Sequence, residues 1–315
     1  MSNPIRPEIR KLQANIERVI KGKPDVIKSA LIGVLAQGHI LFEDVPGVGK
    51  TTLAHLIARS LNLSFARIQF TSDMLPSDIL GVTTYDPNHH RFEFRPGPLF
   101  SNVVLADEIN RTTPKTQSAL LEAMNTGEVS MDKETHRLPK PFMVLATQNP
   151  IEFHGTFPLP KSQMDRFLLR LQVGYPDPEE EAAILRDQRD VGSIEHIQPV
   201  MTGDELLAMQ EEVKNVRVSD ELIDYIVRIV NATRQSRLIE LGVSTRGSLA
   251  LRRAAQARAY YEGRDYCTDH DVKAMVRPVC AHRLQVVRTF DNDGLFASEE
   301  EAALDRILHE IETPA

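Results

Sequence analysis

The sequence predicts an α/β fold, a mostly parallel five-stranded sheet flanked by helices, followed by a second, all-helical domain. Three observations carry this. Five apolar runs of strand length lie among helical stretches in the first 175 residues, strand signals fade after Tyr175-Pro176-Asp177-Pro178, and amphipathic helical periodicity occupies the remainder.

In chain order, Ile9, Leu12, Ile16, Val19 and Ile20 recur at helical spacing, Lys21-Gly22-Lys23-Pro24 interrupts, and Val26, Ile27, Ala30, Leu31, Val34 and Leu35 mark a second helix. His39-Ile40-Leu41-Phe42 reads as the first strand, and Leu53, Leu56, Ile57 and Leu61 mark the next helix. Phe65–Phe70, Val103–Ala106, Phe142–Thr147 and Phe167–Val173 supply four more strands. Thr113 followed by Pro114 opens a helix to Thr126 that carries Leu120, Leu121 and Met124. Val129, Met131, Thr135 and Leu138 flank the polar turn Asp132-Lys133-Glu134, as a hairpin requires. Later helices are expected over Asp204–Asn215, Ser219–Ser236, Ser248–Glu262, Thr268–Arg283 and Ser298–Thr313, with Thr268 and Asp271 forming a capping box. The domains are then residues 1–175 and 176–315.

Composition narrows the function. A formal charge of −7 argues against a surface that holds nucleic acid by counterion release. Cys267 and Cys280 are too few for a disulfide framework and lack the spacing of a zinc site, which points to a reducing compartment. No apolar run approaches the roughly 20 residues of a spanning helix, and Met1-Ser2-Asn3-Pro4-Ile5-Arg6 lacks the apolar stretch of a signal peptide. The expected location is the cytoplasm, with no membrane span.

The loop Val45-Pro46-Gly47-Val48-Gly49-Lys50-Thr51-Thr52 lies between the first strand and the next helix. A nucleotide phosphate needs several converging backbone N–H groups, a mobile cation and a hydroxyl for Mg²⁺, and Gly47, Gly49, Lys50 and Thr51 supply them. The phosphate-loop pattern G-x-x-x-x-G-K-[ST] is matched except at its first position, where Asp44 replaces glycine. Val103-Val104-Leu105-Ala106-Asp107-Glu108 is an apolar strand ending in two carboxylates, where open α/β sheets place their ligands. With Thr51, Asp107 is the candidate holder of Mg²⁺. Glu108 is the candidate base for the water that attacks the γ-phosphate of ATP.

The stretches Glu43-Asp44-Val45-Pro46-Gly47-Val48-Gly49-Lys50-Thr51, Leu105-Ala106-Asp107-Glu108-Ile109-Asn110-Arg111 and Pro114-Lys115-Thr116-Gln117-Ser118-Ala119-Leu120-Leu121-Glu122-Ala123-Met124 resemble the MoxR family of AAA+ ATPases. The resemblance continues through Arg95-Pro96-Gly97-Pro98, Pro158-Leu159-Pro160 and Gln163-Met164-Asp165-Arg166-Phe167, and resumes at Gly242-Val243-Ser244-Thr245-Arg246. It implies a P-loop AAA+ core followed by a helical lid, and Asp44 is an ordinary occupant of its position there. Ala146-Thr147-Gln148-Asn149-Pro150 resembles the sensor-1 element, with Asn149 toward the γ-phosphate or attacking water. Arg166 resembles the arginine finger that reaches the adjacent subunit's ATP, and Arg246 the sensor-2 arginine of the same subunit. The resemblance further implies a hexameric homo-oligomeric ring, a partner with a von Willebrand factor A domain, and chaperone-like remodelling of an unidentified client. Two family-like insertions are expected, Thr83–Phe94 inside the helix after the second strand and the hairpin Val129–Leu138.

His89 and His90 are read as solvated loop residues, because adjacent histidines point apart and no third ligand has suitable spacing. Glu179-Glu180-Glu181 and Glu299-Glu300-Glu301 are read as exposed helix-start charges. Competing functions are an ATPase subunit of a metal-chelatase complex, a nucleic-acid motor or helicase loader, and a non-hydrolysing scaffold. The second is disfavoured by Asp132 and Glu134, which offset Lys133, His136 and Arg137, and the third by intact Lys50, Thr51, Asp107, Glu108 and Asn149.

Overall fold

A computed structural model of the chain describes residues 5–131, 134–149, 155–186, 193–287 and 296–314. Helices α1 (Pro7–Glu17) and α2 (Pro24–Leu35) each open on a proline, whose missing N–H is harmless in a first turn. Then come β1 (Ile40–Glu43), α3 (Lys50–Ser60), β2 (Phe65–Gln69), the one-turn α4 (Pro76–Leu80), and an antiparallel hairpin of β3 (Gly81–Asp86) and β4 (Arg91–Pro96). The domain continues through β5 (Val103–Asp107), α5 (Pro114–Thr126), a second hairpin of β6 (Glu128–Met131) and β7 (Glu134–Arg137), β8 (Met143–Gln148), the short α6 (Lys161–Met164) and β9 (Leu169–Leu171).

Strands β2-β5-β8-β1-β9, in that spatial order, form one parallel sheet of five. Alternate residues point to opposite faces. Ile40, Phe42, Val103, Leu105 and Leu145 therefore pack with α1, α2, α3 and the C-terminal helices, whereas Leu41, Val104, Ala106, Val144 and Ala146 pack with α4, α5 and the second hairpin. Burial on both faces explains why these strands read as unbroken apolar runs.

The C-terminal part contains α7 (Pro178–Arg186), α8 (Gly203–Lys214), α9 (Asp220–Gln235), β10 (Ile239–Leu241), α10 (Thr245–Tyr261), α11 (Asp269–Cys280), β11 (Gln285–Val286) and α12 (Phe296–Glu310). The expected capping box is formed, with the Thr268 N–H and hydroxyl both donating to Asp271. The helical lid also carries a two-stranded antiparallel ribbon of β10 and β11, too short to register as periodicity. Among the described residues no helix is long and apolar enough to cross a membrane.

Three sequence expectations need correction. Helix α10 begins at Thr245, not near Ser248, because Ser244 caps it by accepting from the Gly247 N–H at 3.1 Å, so Arg246 lies in the first turn. The first insertion does not interrupt a helix. It follows α4, and Gly81 and Gly97 close its base so tightly that a Cβ on Gly97 would lie 2.5 Å from the Ile79 carbonyl oxygen. Glu300 and Glu301 are not free surface charges. Lys161 pairs with Glu300 at 3.1 Å, and Arg170, 5% exposed, bridges Glu43 at 2.9 Å and Glu301 at 3.1 Å. A buried guanidinium demands such partners, and chain spacing does not reveal them. The turn residues Asp132 and Lys133, and Pro150, lie outside the described residues.

His39 pins the entry to β1. Its ring accepts from the Val144 N–H at 3.0 Å through Nδ1, so Nε2 carries the proton shared with the Met124 carbonyl at 2.9 Å. Burial lowers its pKa from 6.5 to about 4. Between those values the unfolded chain binds the proton and the folded chain does not, so stability falls as pH drops from 6.5 toward 4, by about 3 kcal/mol in all. His282, also buried and lowered, acts in the same direction. Urea midpoints measured across this range should fall less steeply for His39→Gln than for the parent, and parallel profiles would remove His39 as a cause.

Candidate functional site

The carboxyl ends of the central strands are aligned by register: Gln69 is opposite Asp107, and Glu43 opposite Gln148. Strand β1 runs into the loop, whose Gly47 and Gly49 adopt φ of 84° and 90°. Only glycine reaches this region without strain, and among the described residues nothing lies within 4 Å of a Cβ built on either, so the cradle is open on that side to the described chain. Gly49 sits at the N-cap of α3, aiming the helix's unpaired N–H groups into the same space. Lys50 donates through Nζ to the Asp44 and Val45 carbonyls at 3.0 and 2.7 Å. Burial pulls its ammonium below the ordinary lysine value, while Asp44, Asp107 and Glu108 pull the other way.

Asp44, the departure from the glycine pattern, has a structural task. Its Oδ1 accepts from the Val45 N–H at 2.8 Å, and its Oδ2 accepts from the Val173 and Gly174 N–H groups at 2.6 and 2.7 Å. The start of the loop is thereby tied to the chain leaving β9.

Pro46, Gly47, Gly49, Lys50, Thr51 and Thr52 line a polar cleft of about 380 Å³ together with Asp107, Glu108 and Asn149. Val45 contributes its carbonyl to Lys50, and Val48 packs toward the core. A second cavity of about 320 Å³ lies at the opposite ends of β1, β5 and β8 and contains none of the loop or carboxylate residues.

Sequence reasoning missed Arg67, Gln69 and Thr147. Arg67 pairs with Asp107 Oδ2 at 2.6 Å, and the Thr147 hydroxyl donates to Asp107 Oδ1 at 2.7 Å while accepting from the Glu108 N–H at 2.8 Å. Gln69 and Arg111 donate to Glu108 Oε2 at 2.8 and 3.0 Å. Glu108 itself is left-handed, φ 57° and ψ 50°, which for a non-glycine residue costs about 1–3 kcal/mol and is held by these bonds. The available signal was the alternation of Arg67 and Gln69 on one face of β2, indistinguishable in sequence from a solvated edge strand.

The two predicted arginines stand outside this cleft. Arg166 is half-buried and donates through Nη1 to the Leu121 carbonyl of α5 at 2.7 Å. Arg246 is exposed on the first turn of α10. The hydroxyl of Thr51 and carboxylate of Asp107 are hard oxygen donors lining the same polar cleft, which suits Mg²⁺ held jointly with phosphates and water. Among the described residues no group of three His, Cys, Asp or Glu side chains is arranged as a metal cage. His89 and His90 are exposed at the first hairpin, contacting Asp86 and Tyr85.

The ATPase family associated with various cellular activities (AAA) matches residues 39–169, and the AAA lid domain matches residues 231–307. The chain is 46% identical to protein YeaC of Bacillus subtilis, over 98% of this chain and 96% of the relative. It is 41% identical to chaperone MoxR1 of Mycobacterium tuberculosis, over 95% of this chain and 80% of the relative. A crystal structure of a Cytophaga hutchinsonii protein assigned as an ATPase superposes with a TM-score of 0.89 at 35% identity, covering 98% of this chain and 95% of that one. These likenesses run through both the phosphate loop and the lid, and the chain belongs to the MoxR family of AAA+ ATPases.

Proposed function

We propose that this ATPase works as a homo-oligomeric ring, six-membered by family expectation, that hydrolyses ATP with Mg²⁺ to remodel or assemble partner proteins in the cytoplasm. A core of residues 1–175 binds the nucleotide and a lid of residues 176–315 moves with it. A von Willebrand factor A domain protein is the expected partner in delivering the client. The observation that carries this reading is a division within one chain: the loop, Asp107, Glu108 and Asn149 share a cleft, while Arg166 lies outside it.

In this reading the N–H groups of residues 45–52 hold the phosphates and Lys50 neutralises their charge. Thr51 and Asp107 would hold Mg²⁺, directly or through water. Mg²⁺, when bound, screens the charge on the phosphoryl oxygens. Glu108 takes the proton of the attacking water, Asn149 orients that water, Arg246 senses the γ-phosphate, and a neighbour's Arg166 completes the site.

The test is phosphate release against protein concentration, with assembly followed by light scattering. Specific activity should rise as rings form, and full activity in a dilute monomer would overturn the shared site. Lys50→Ala should weaken ATP binding by at least about tenfold, because the buried cation facing the phosphates is lost. Equilibrium titration with a fluorescent ATP analogue checks this, and unchanged affinity would remove Lys50 from the site.

A further inference from the structure

The segment that presents Arg166 is held by the lid. Helix α6 is a single turn, and Asp165 and Arg166 lead from it toward β9. Both oxygens of the Asp165 carboxylate are taken by lid residues: Oδ1 accepts from Arg283 Nε at 2.7 Å, and Oδ2 from the Ser244 hydroxyl at 2.9 Å. Arg283 ends a short 3-10 turn after α11, and its side chain is 2% exposed. Its remaining N–H groups reach the carbonyls of Asp165 at 3.2 Å, Phe167 at 2.6 Å and Leu168 at 3.2 Å, as well as that of Val279. The main chain on either side of Arg166 is therefore fastened to one buried guanidinium. Ser244, the other group on Asp165, caps α10 two residues before Arg246.

We propose that Asp165 is a positioning residue that links the two arginines, transmitting the placement of α10 and Arg246 to the segment that offers Arg166 to the neighbouring subunit. The proposal rests on the shared-site reading and adds the route by which the nucleotide in one subunit sets catalysis in the next. A shift of α10 toward a γ-phosphate moves its N-cap, and a carboxylate bonded at both oxygens to the lid moves with it. The compliant partner is the one-turn α6, which has little helix of its own to resist. The simpler role, neutralising buried Arg283, predicts lower stability without any response of the Arg166 segment to nucleotide.

One variant separates these roles in the full-length chain. Ser244→Ala cuts the link from α10 to Asp165, with loss of the α10 cap costing about 1 kcal/mol, and leaves the Asp165–Arg283 pair intact, so it should fold even if Asp165→Asn, which disturbs that buried pair, does not. Hydrogen exchange is followed at residues 164–168 with and without a non-hydrolysable ATP analogue. In the parent, the analogue should change exchange there by about fivefold, a usual size for coupling between sites. In Ser244→Ala that change should shrink at least about twofold, the remainder passing through Arg283, while analogue affinity and the response of residues 47–51 persist. An unresponsive segment in the parent, or an undiminished response in Ser244→Ala, overturns the proposal.

Mixed rings then place the effect. Ser244→Ala is added either to Glu108→Gln subunits, which only donate Arg166, or to Arg166→Ala subunits, which only hydrolyse. Turnover should drop about tenfold in the first arrangement and much less in the second. Equal loss in both overturns the route through Arg166. Absence of phosphate release by the parent itself would instead overturn the ATPase-ring reading.

Discussion

Glu108→Gln should keep ATP bound and slow its hydrolysis by about 10²- to 10⁴-fold, the range contributed by a positioned general base. Glutamine preserves the volume of the side chain, and the Glu108 N–H still bonds Thr147, so the left-handed turn after β5 should survive. Lys50, Thr51 and Asp107 are untouched, which separates binding from chemistry. Gln69 and Arg111 both bond Glu108 Oε2, so in the proposed mechanism they orient the carboxylate and Oε1 is the oxygen expected to take the proton. Equilibrium binding of a fluorescent analogue beside single-turnover phosphate release checks both halves. Turnover equal to the parent's would remove Glu108 from the mechanism, and lost binding would reassign it to the loop's architecture.

Arg166→Ala should lower turnover by about 10³-fold or more while leaving ATP affinity near the parental value. The reason is geometric. Arg166 is bonded to α5 and lies outside the cleft formed by its own Lys50, Asp107 and Glu108, so it cannot serve that cleft from its present place. In a head-to-tail contact the same residue can face the neighbour's cleft, and repetition of that contact closes a ring. Mixing inactive Arg166→Ala with inactive Glu108→Gln should restore measurable turnover, since some interfaces then join an intact Glu108 to an intact Arg166. Lack of recovery in rings shown by mass to be mixed would count against a shared site.

Much of the cleft is legible along the chain because its parts are local. Gly47, Gly49, Lys50 and Thr51 fall within five consecutive residues, and Asp107 and Glu108 end one apolar strand, so these residues of the cleft stand out in the sequence as candidates for phosphate and metal binding. The parallel sheet is legible for a related reason, since strands buried on both faces must be continuously apolar. Apolar periodicity puts Arg246 just ahead of a helix starting near Ser248, whereas the Ser244 cap starts that helix at Thr245. Arg67, Gln69 and Thr147 were not legible, as each acts on a carboxylate that is near only after β2, β5 and β8 align.

The sequence by itself determined the class of chemistry, the five-stranded α/β core, the helical lid and the family, all of which depend on short contiguous patterns. The tertiary structure alone decided what the isolated charges do. Asp44 clamps the loop to the exit of β9, Glu301 and Glu43 share buried Arg170, and Asp165 joins Ser244 to Arg283. The physical reason is desolvation. A charge or hydrogen-bonding group costs most when buried without a partner, and which partner stands within 3 Å is settled by packing of residues more than a hundred positions apart in several of these pairs.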